Sequence, residues 1–346
     1  MSASSYIQFL RVVYHRPQAG REPEVVSLGP ETTTFDCVSA VVGLALDLLE
    51  SRRSLRALSS YTAEVALDSP DVPRLRNLRQ GEELNLLREF LAAIRADVPH
   101  ILLTDANGMS NKNGRTNKRD CLENFDPKKS AVIEMNVNLL KRLATACKEA
   151  AQDAYALSRF RTLLLRLSIT FAHEIVHVYT LFLRRQKDRH TPPRITYGYG
   201  SDRWGEAGRF WEYNVFGGFV DMRFQSGEAI ALRDNSSTYA WRMRGELIDQ
   251  LVSRRFSWLD EPLTSSDHDN AREAVKKIPT YTWKERWDDL FPQASPRGPT
   301  QLSDSQVRQI VNLGGSNFPA YHVPVRDLRE FAWNPDTEIR IVPVGA

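Results

Sequence analysis

The sequence predicts an α+β fold dominated by helices and carrying a small sheet, and three observations lead there. From Asn136 to His190 neither proline nor glycine occurs, and apolar residues recur at helical spacing throughout. Two earlier segments, DCVSAVVGLALDLLE at 36–50 and EELNLLREFLAAIRA at 82–96, repeat that spacing. In contrast, HILLTDA at 100–106 and AVIEM at 131–135 are short apolar runs closed by polar residues, as buried strands are.

Taken in order, the segments 36–50 and 82–96 are helices whose apolar faces pack inward. Between the two expected strands, residues 107–120 (NGMSNKNGRTNKRD) gather asparagine, glycine, lysine and arginine. This stretch reads as a solvated surface loop, because a nucleic-acid grip would interleave aromatic side chains with the basic ones. The region free of proline and glycine divides into helices over 138–152 and 156–185, and HTPP at 190–193 stops the second, since proline cannot continue a helix.

All seven tryptophans lie beyond that stop, which predicts a second subdomain from about residue 191, filled by aromatic side chains. Within it FVDMRF and AIALRD, joined by Gln225-Ser226-Gly227-Glu228, read as a hairpin. Helical patterns follow over 239–257 and 268–278, and PQASPRGPTQ at 292–301 reads as a linker. The expected division is therefore 1–190, 191–291 and a C-terminal segment 292–346.

Composition narrows the function classes. A formal net charge of +3 over 346 residues gives no strong field toward nucleic acid or anionic lipid. Cys37, Cys121 and Cys147 are few, scattered and without a CxxC pair, which fits a reducing compartment. Arg11 and His15 interrupt the N-terminal segment before a secretory signal could form, and no apolar run is long enough to span a bilayer. A soluble cytoplasmic protein with neither nucleic-acid nor membrane partners is expected.

The helix predicted over 156–185 contains His173-Glu174-Ile175-Val176-His177, the pattern HExxH. Residues four apart share one helix face, so both imidazoles can reach one ion, while Glu174 leans beside them toward a water on that ion. Phe171, Ala172, Ile175, Val176 and Val178 flank the three polar groups, and burying them unpaired would cost several kcal/mol. A bound metal removes that cost, and zinc suits nitrogen and oxygen donors.

A catalytic zinc takes a third protein ligand and leaves one position open. The metzincin pattern would place glycine at 180 and histidine at 183, where this chain has Thr180 and Leu183. The favoured ligand is Glu206 in RWGEAGRFWEYNVFGG at 203–218, whose neighbours Gly205, Ala207 and Gly208 would allow close approach to the zinc helix. On a helix there, Glu206, Arg209, Phe210 and Tyr213 share a face, and Glu212 lies about 240° round, so one glutamate alone can be the ligand. Glu212, with an Arg209 or Arg203 ion pair as its other role, and Asp202 remain alternatives.

HExxH followed by a glutamate in a second helix resembles the gluzincin branch of the zincin metallopeptidases. AHEIVH with GEAGRFWE and FGG is also similar to intracellular proteins of fungi, and the resemblance covers residues 131–218. It implies a zincin-like core whose active-site helix carries HExxH, with His173, His177 and Glu206 as ligands and Glu174 as base. It also implies a cleft strand able to hold an extended peptide, in the place where AVIEMN stands. The chain departs from the gluzincin pattern at Phe210, where an acid would orient a zinc histidine.

The expected activity is a zinc-dependent hydrolase, a peptidase or amidase acting on a peptide or an amide-containing small molecule. Candidate donors to the developing oxyanion are His190, Tyr197, Tyr199 and Tyr213. Two other readings of the same residues are a zinc-dependent tailoring enzyme for a small molecule or short peptide, and a zinc-stabilised interaction module without catalysis.

Overall fold

A computed structural model of the chain describes residues 6–16, 24–76, 78–79, 81–105, 113–118, 125–150, 152–184, 190–195, 205–221, 230–233, 239–260, 272–279 and 321–324. The N-terminal elements are β1 (Tyr6–Leu10), β2 (Val12–Arg16), β3 (Glu24–Leu28), α1 (Thr33–Glu50), α2 (Arg52–Asp68), α3 (Pro73–Arg76) and α4 (Glu82–Ala96). The middle of the chain forms β4 (His100–Thr104), β5 (Gly114–Lys118), α5 (Pro127–Ser130), β6 (Ala131–Asn136), α6 (Val137–Glu149) and α7 (Ala154–Arg184). Then come α8 (Ala207–Phe216), β7 (Phe219–Asp221), β8 (Ala231–Arg233), β9 (Tyr239–Met243), α9 (Gly245–Val252), α10 (Ser257–Asp260), β10 (Arg272–Pro279) and β11 (Tyr321–Pro324). The fold is α+β and helix-dominated, as the sequence predicts.

The centre of the fold is α7, and its composition explains why. Its 31 residues make a rod about 46 Å long. Asp153 starts it, accepting from the Tyr155 N–H at 2.9 Å. Leu163, Leu164, Leu165, Leu167, Ile169 and Phe171 are fully buried and point all round the axis, so the helix must be wrapped on every side. α1, α6, α8 and α9 pack on it. One hydrophobic core joins residues on both sides of position 190, from Phe35 through Leu164 to Trp211 and Leu251.

The principal sheet has the order β3-β2-β4-β6-β5. β2, β4 and β6 run parallel, with β3 and β5 antiparallel at the edges. The crossover from β2 to β4 carries α1 to α4, as a parallel connection requires. Asn136 ends β6 and caps α6 in one step, its side chain accepting from the N–H groups of Asn138 and Leu139. A second, antiparallel sheet has the order β10-β9-β8-β7, and β1 pairs with β11.

Both strands expected at 100–106 and 131–135 form, as do the helices at 36–50, 82–96, 138–152 and 156–185, within a few residues at their ends. The hairpin is present as β7 paired antiparallel with β8. Three expectations are corrected. Residues 114–118 of the expected surface loop are β5, in which Arg115 and Asn117 are buried against Glu134 of β6. In consequence AVIEMN is an interior strand, and β5 is the edge. Residues 239–243 and 272–279 form β9 and β10 rather than helix, because antiparallel pairing with each other outweighs a short helical pattern, and helix in the first region is limited to α9 and the first residue of α10. The expected linker at 292–301 lies outside the described residues. Among the described residues no helix is long and apolar enough to cross a membrane.

Candidate metal centre

The chemistry lies on the C-terminal part of α7, where Thr170, His173, Glu174 and His177 follow the helical three-and-four spacing along one face. The two imidazole rings stand 5.1 Å apart, centroid to centroid. Between them and the rest of the core, Phe171, Ala172, Ile175 and Val176 are fully buried.

Glu206 reaches these histidines through backbone pairing beyond α7. The Gly205 N–H donates to Thr191 O at 3.0 Å and the Glu206 N–H to Ile195 O at 2.7 Å, which pins the chain just before α8. Glu206 is the N-cap of α8, with extended backbone, and its carboxylate accepts from the Gly208 N–H. The sequence pattern predicts it inside the helix; as a cap it no longer shares a helical face with Tyr213.

Gly208 sets the approach of α8 to α7. A Cβ there would fall 2.3 Å from the His173 ring, which no packing tolerates. From the other side α2 holds α8 in place. Trp211 is fully buried and donates from its indole to Ser54 Oγ at 2.9 Å, and Arg53 donates to Val215 O at 3.1 Å. Gly217, in the left-handed region at φ 72°, ends the helix.

The three donors converge. Glu206 Oε1 lies 3.3 Å from His173 Nε2 and 2.9 Å from His177 Nε2. A tetrahedral ion with ligands at its usual zinc distances separates them by about 3.3 Å, so the spacing fits a shared cation. Side-chain exposures of 13, 16 and 25% for His173, His177 and Glu206 leave that point reachable from solvent.

Glu212 completes the support. Its Oε1 lies 2.6 Å from His173 Nδ1, and its Oε2 accepts from Arg209 at 2.7 Å and from the Val220 N–H at 2.9 Å. Both glutamates thus address one imidazole from opposite edges, Glu206 at Nε2 and Glu212 at Nδ1. This supplies the histidine-orienting acid that Phe210 fails to provide, six positions after Glu206 rather than four, and keeps Nε2 directed at the point where the three donors converge. The Arg209 ion pair expected for the second glutamate is present as well.

Electrostatics follow from these contacts. Burial alone would push His173 down, but the carboxylates of Glu206 and Glu212 outweigh it and raise the imidazolium to about 10. Burial likewise opposes ionisation of Glu206, yet His177 and His173 hold its carboxyl well below the usual range. Glu212 is lowered against its own burial, chiefly by Arg209 and then by His173. In the absence of a cation the two carboxylates favour the charged imidazolium, so any metal ion binding here would have to displace a proton.

Glu174 is buried and hydrogen-bonded from outside its own helix, by the hydroxyl of Thr116 on β5 at 2.7 Å. Nothing in the sequence pattern marked Thr116, because its relation to α7 arises from strand pairing. Of the expected oxyanion donors, Tyr213 is half-buried with its ring 5.4 Å from that of Phe219, and the His190 carbonyl accepts from Arg184 at 2.9 Å. Tyr197, Tyr199 and Asp202 lie outside the described residues. No protein-family model, curated protein or solved structure matches the chain.

Proposed function

We propose that the chain is a zinc-dependent hydrolase of peptide or related amide bonds, acting in the cytoplasm. One observation carries this reading: His173, His177 and Glu206 direct three donor atoms at a common point, while the adjacent carboxylate of Glu174 stays outside that set. A structural zinc site closes with four protein ligands, whereas a hydrolytic one uses three, and three converge among the described residues. The scarcity of cysteine supports the compartment.

When bound, zinc supplies a Lewis acid that polarises a carbonyl and lowers the pKa of a coordinated water. The chain's residues do the rest. Glu174 takes a proton from the attacking water and passes it to the departing amine. Glu212 holds His173 in the orientation that keeps Nε2 on the ion site, and Gly208 permits the closeness on which that contact depends.

The test is Glu174→Gln, assayed by zinc content and by cleavage of a mixed peptide library. Zinc should remain at one equivalent while turnover falls by roughly 10²- to 10⁴-fold. Unchanged turnover would remove Glu174 from the mechanism. An intact library together with conversion of a small amide metabolite by the wild type would move the activity to biosynthetic tailoring.

A further inference from the structure

Strand β5 presents two chemically different faces. Arg115 and Asn117 point to one side, where Arg115 Nη2 donates to Glu134 Oε2 at 2.6 Å and Asn117 Nδ2 to Oε1 at 2.5 Å. Glu134 is fully buried, so both of its carboxylate oxygens are engaged away from water. By strand alternation Gly114 and Thr116 point to the opposite side, onto α7. A Cβ at Gly114 would lie 2.8 Å from Thr170 Cγ2 and 3.2 Å from Glu174 Cγ, so the strand rests directly on the helix turn that carries Glu174. At the head of the strand Arg166 donates to Asn113 Oδ1 at 2.7 Å, a second tie between β5 and α7.

A slip of one residue would turn Arg115 and Asn117 onto α7 and strip Glu134 of both donors. The polar cluster on the far face thus fixes the register, and the register aims Thr116. Its single hydroxyl proton has two acceptors in reach, Glu174 Oε2 at 2.7 Å and the Glu174 backbone carbonyl at 3.0 Å, and the shorter, charge-assisted bond to Oε2 is favoured. With Oε2 held in this way, Oε1 is the oxygen left to take a proton.

We propose that Thr116 is a positioning residue for Glu174: edge strand β5 carries a hydroxyl that fixes one oxygen of the base and thereby the direction of the other. The inference rests on the hydrolase reading above, and the experiment separates the two. Cobalt(II) replaces zinc, and acetohydroxamate, which gives up a proton as it chelates the ion, probes the base through the change in the visible cobalt bands. Wild type should take up one equivalent of cobalt and His173→Ala none; equal uptake by both would overturn the metal reading itself. Glu174→Gln should weaken hydroxamate binding strongly.

Thr116→Val, which keeps the shape and deletes the hydroxyl, should retain cobalt yet bind hydroxamate several-fold more weakly, and Thr116→Ser should restore wild-type binding. In turnover the valine variant should lose roughly 10- to 100-fold in kcat with KM unchanged. A valine variant that binds hydroxamate like wild type, in a protein whose Glu174→Gln variant does not, would overturn the role of Thr116 and leave the hydrolase reading standing. If the valine variant takes up no cobalt, Thr116→Ala set against Thr116→Ser gives the same comparison.

Discussion

Two histidines of this protein, one buried and one partly exposed, meet opposite fates. His100, at the start of β4, is 2% exposed and pushed down to about 4 by burial and then by the charge of Arg11. His173 is raised instead to about 10, because two carboxylates face its ring. An acid lies near His100 too, but Asp97 is already paired with Arg11 at 2.5 Å and with Lys128 at 3.2 Å. The lesson is that burial sets the stakes and the commitment of neighbouring carboxylates sets the sign. A histidine whose acids are spent elsewhere is pushed toward its neutral form, whereas one whose acids are directed at it is held in its charged form.

The comparison breaks most severely if the two histidines bind metal equally. His173→Ala, and equally Glu206→Ala, should weaken zinc binding by at least about 10³-fold, since each removes one of three donors. His100→Gln should leave zinc binding unchanged. Competition against a zinc-binding dye measures all three, and a loss in His100→Gln matching that in His173→Ala would erase the distinction.

How much of this was legible in the sequence depends on how local each feature is. The pair His173 and His177 with Glu174 between could be read directly, because four-residue spacing on a helix is itself the geometry. The identity of Glu206 and its small neighbours was readable, but its posture was not. Whether a glutamate lies inside a helix or caps it depends on backbone bonds to Thr191 and Ile195, which no periodicity encodes. The 240° offset of Glu212 from Glu206 presumes that both lie in one helix, and it lapses once Glu206 caps α8; the place of Glu212 on the other edge of the His173 ring follows instead from Gly208 bringing α8 into contact. The role of Thr116 depends on the pairing of β5 with β6. GRTNK offers only an alternation of small and polar residues, which composition disguised as a loop.

Glu212 sharpens the comparison, because its commitment to His173 bears on the proposed metal centre. It is 3% exposed and holds His173 through Nδ1 while Arg209 and the Val220 N–H hold it in turn. Glu212→Ala should therefore cost about 10- to 100-fold in zinc affinity while leaving the stoichiometry intact. Glu212→Gln, which can still accept from His173 Nδ1–H, should recover part of that loss. The same dye competition reads both, and an unaltered affinity in the alanine variant would reduce Glu212 to a partner of Arg209.

The smallest effect is on stability, and in the metal-free protein its sign differs between the two histidines. For His173 the folded value of about 10 exceeds the ordinary 6.5, so its contribution is complete below about pH 6.5 and is lost as pH rises through 10. For His100 the folded value of about 4 lies below 6.5, so the unfolded chain binds a proton that the native state refuses, and stability falls as pH drops from 6.5 toward 4. Between pH 7 and 5 that refusal amounts to about 2 kcal/mol at most. His100→Gln should flatten this part of the acid limb in urea unfolding, whatever its own cost at pH 7, because glutamine has no proton to take up. An identical slope in wild type and variant would mean that His100 is protonated in the native state, and the contrast with His173 would then lie in metal binding alone.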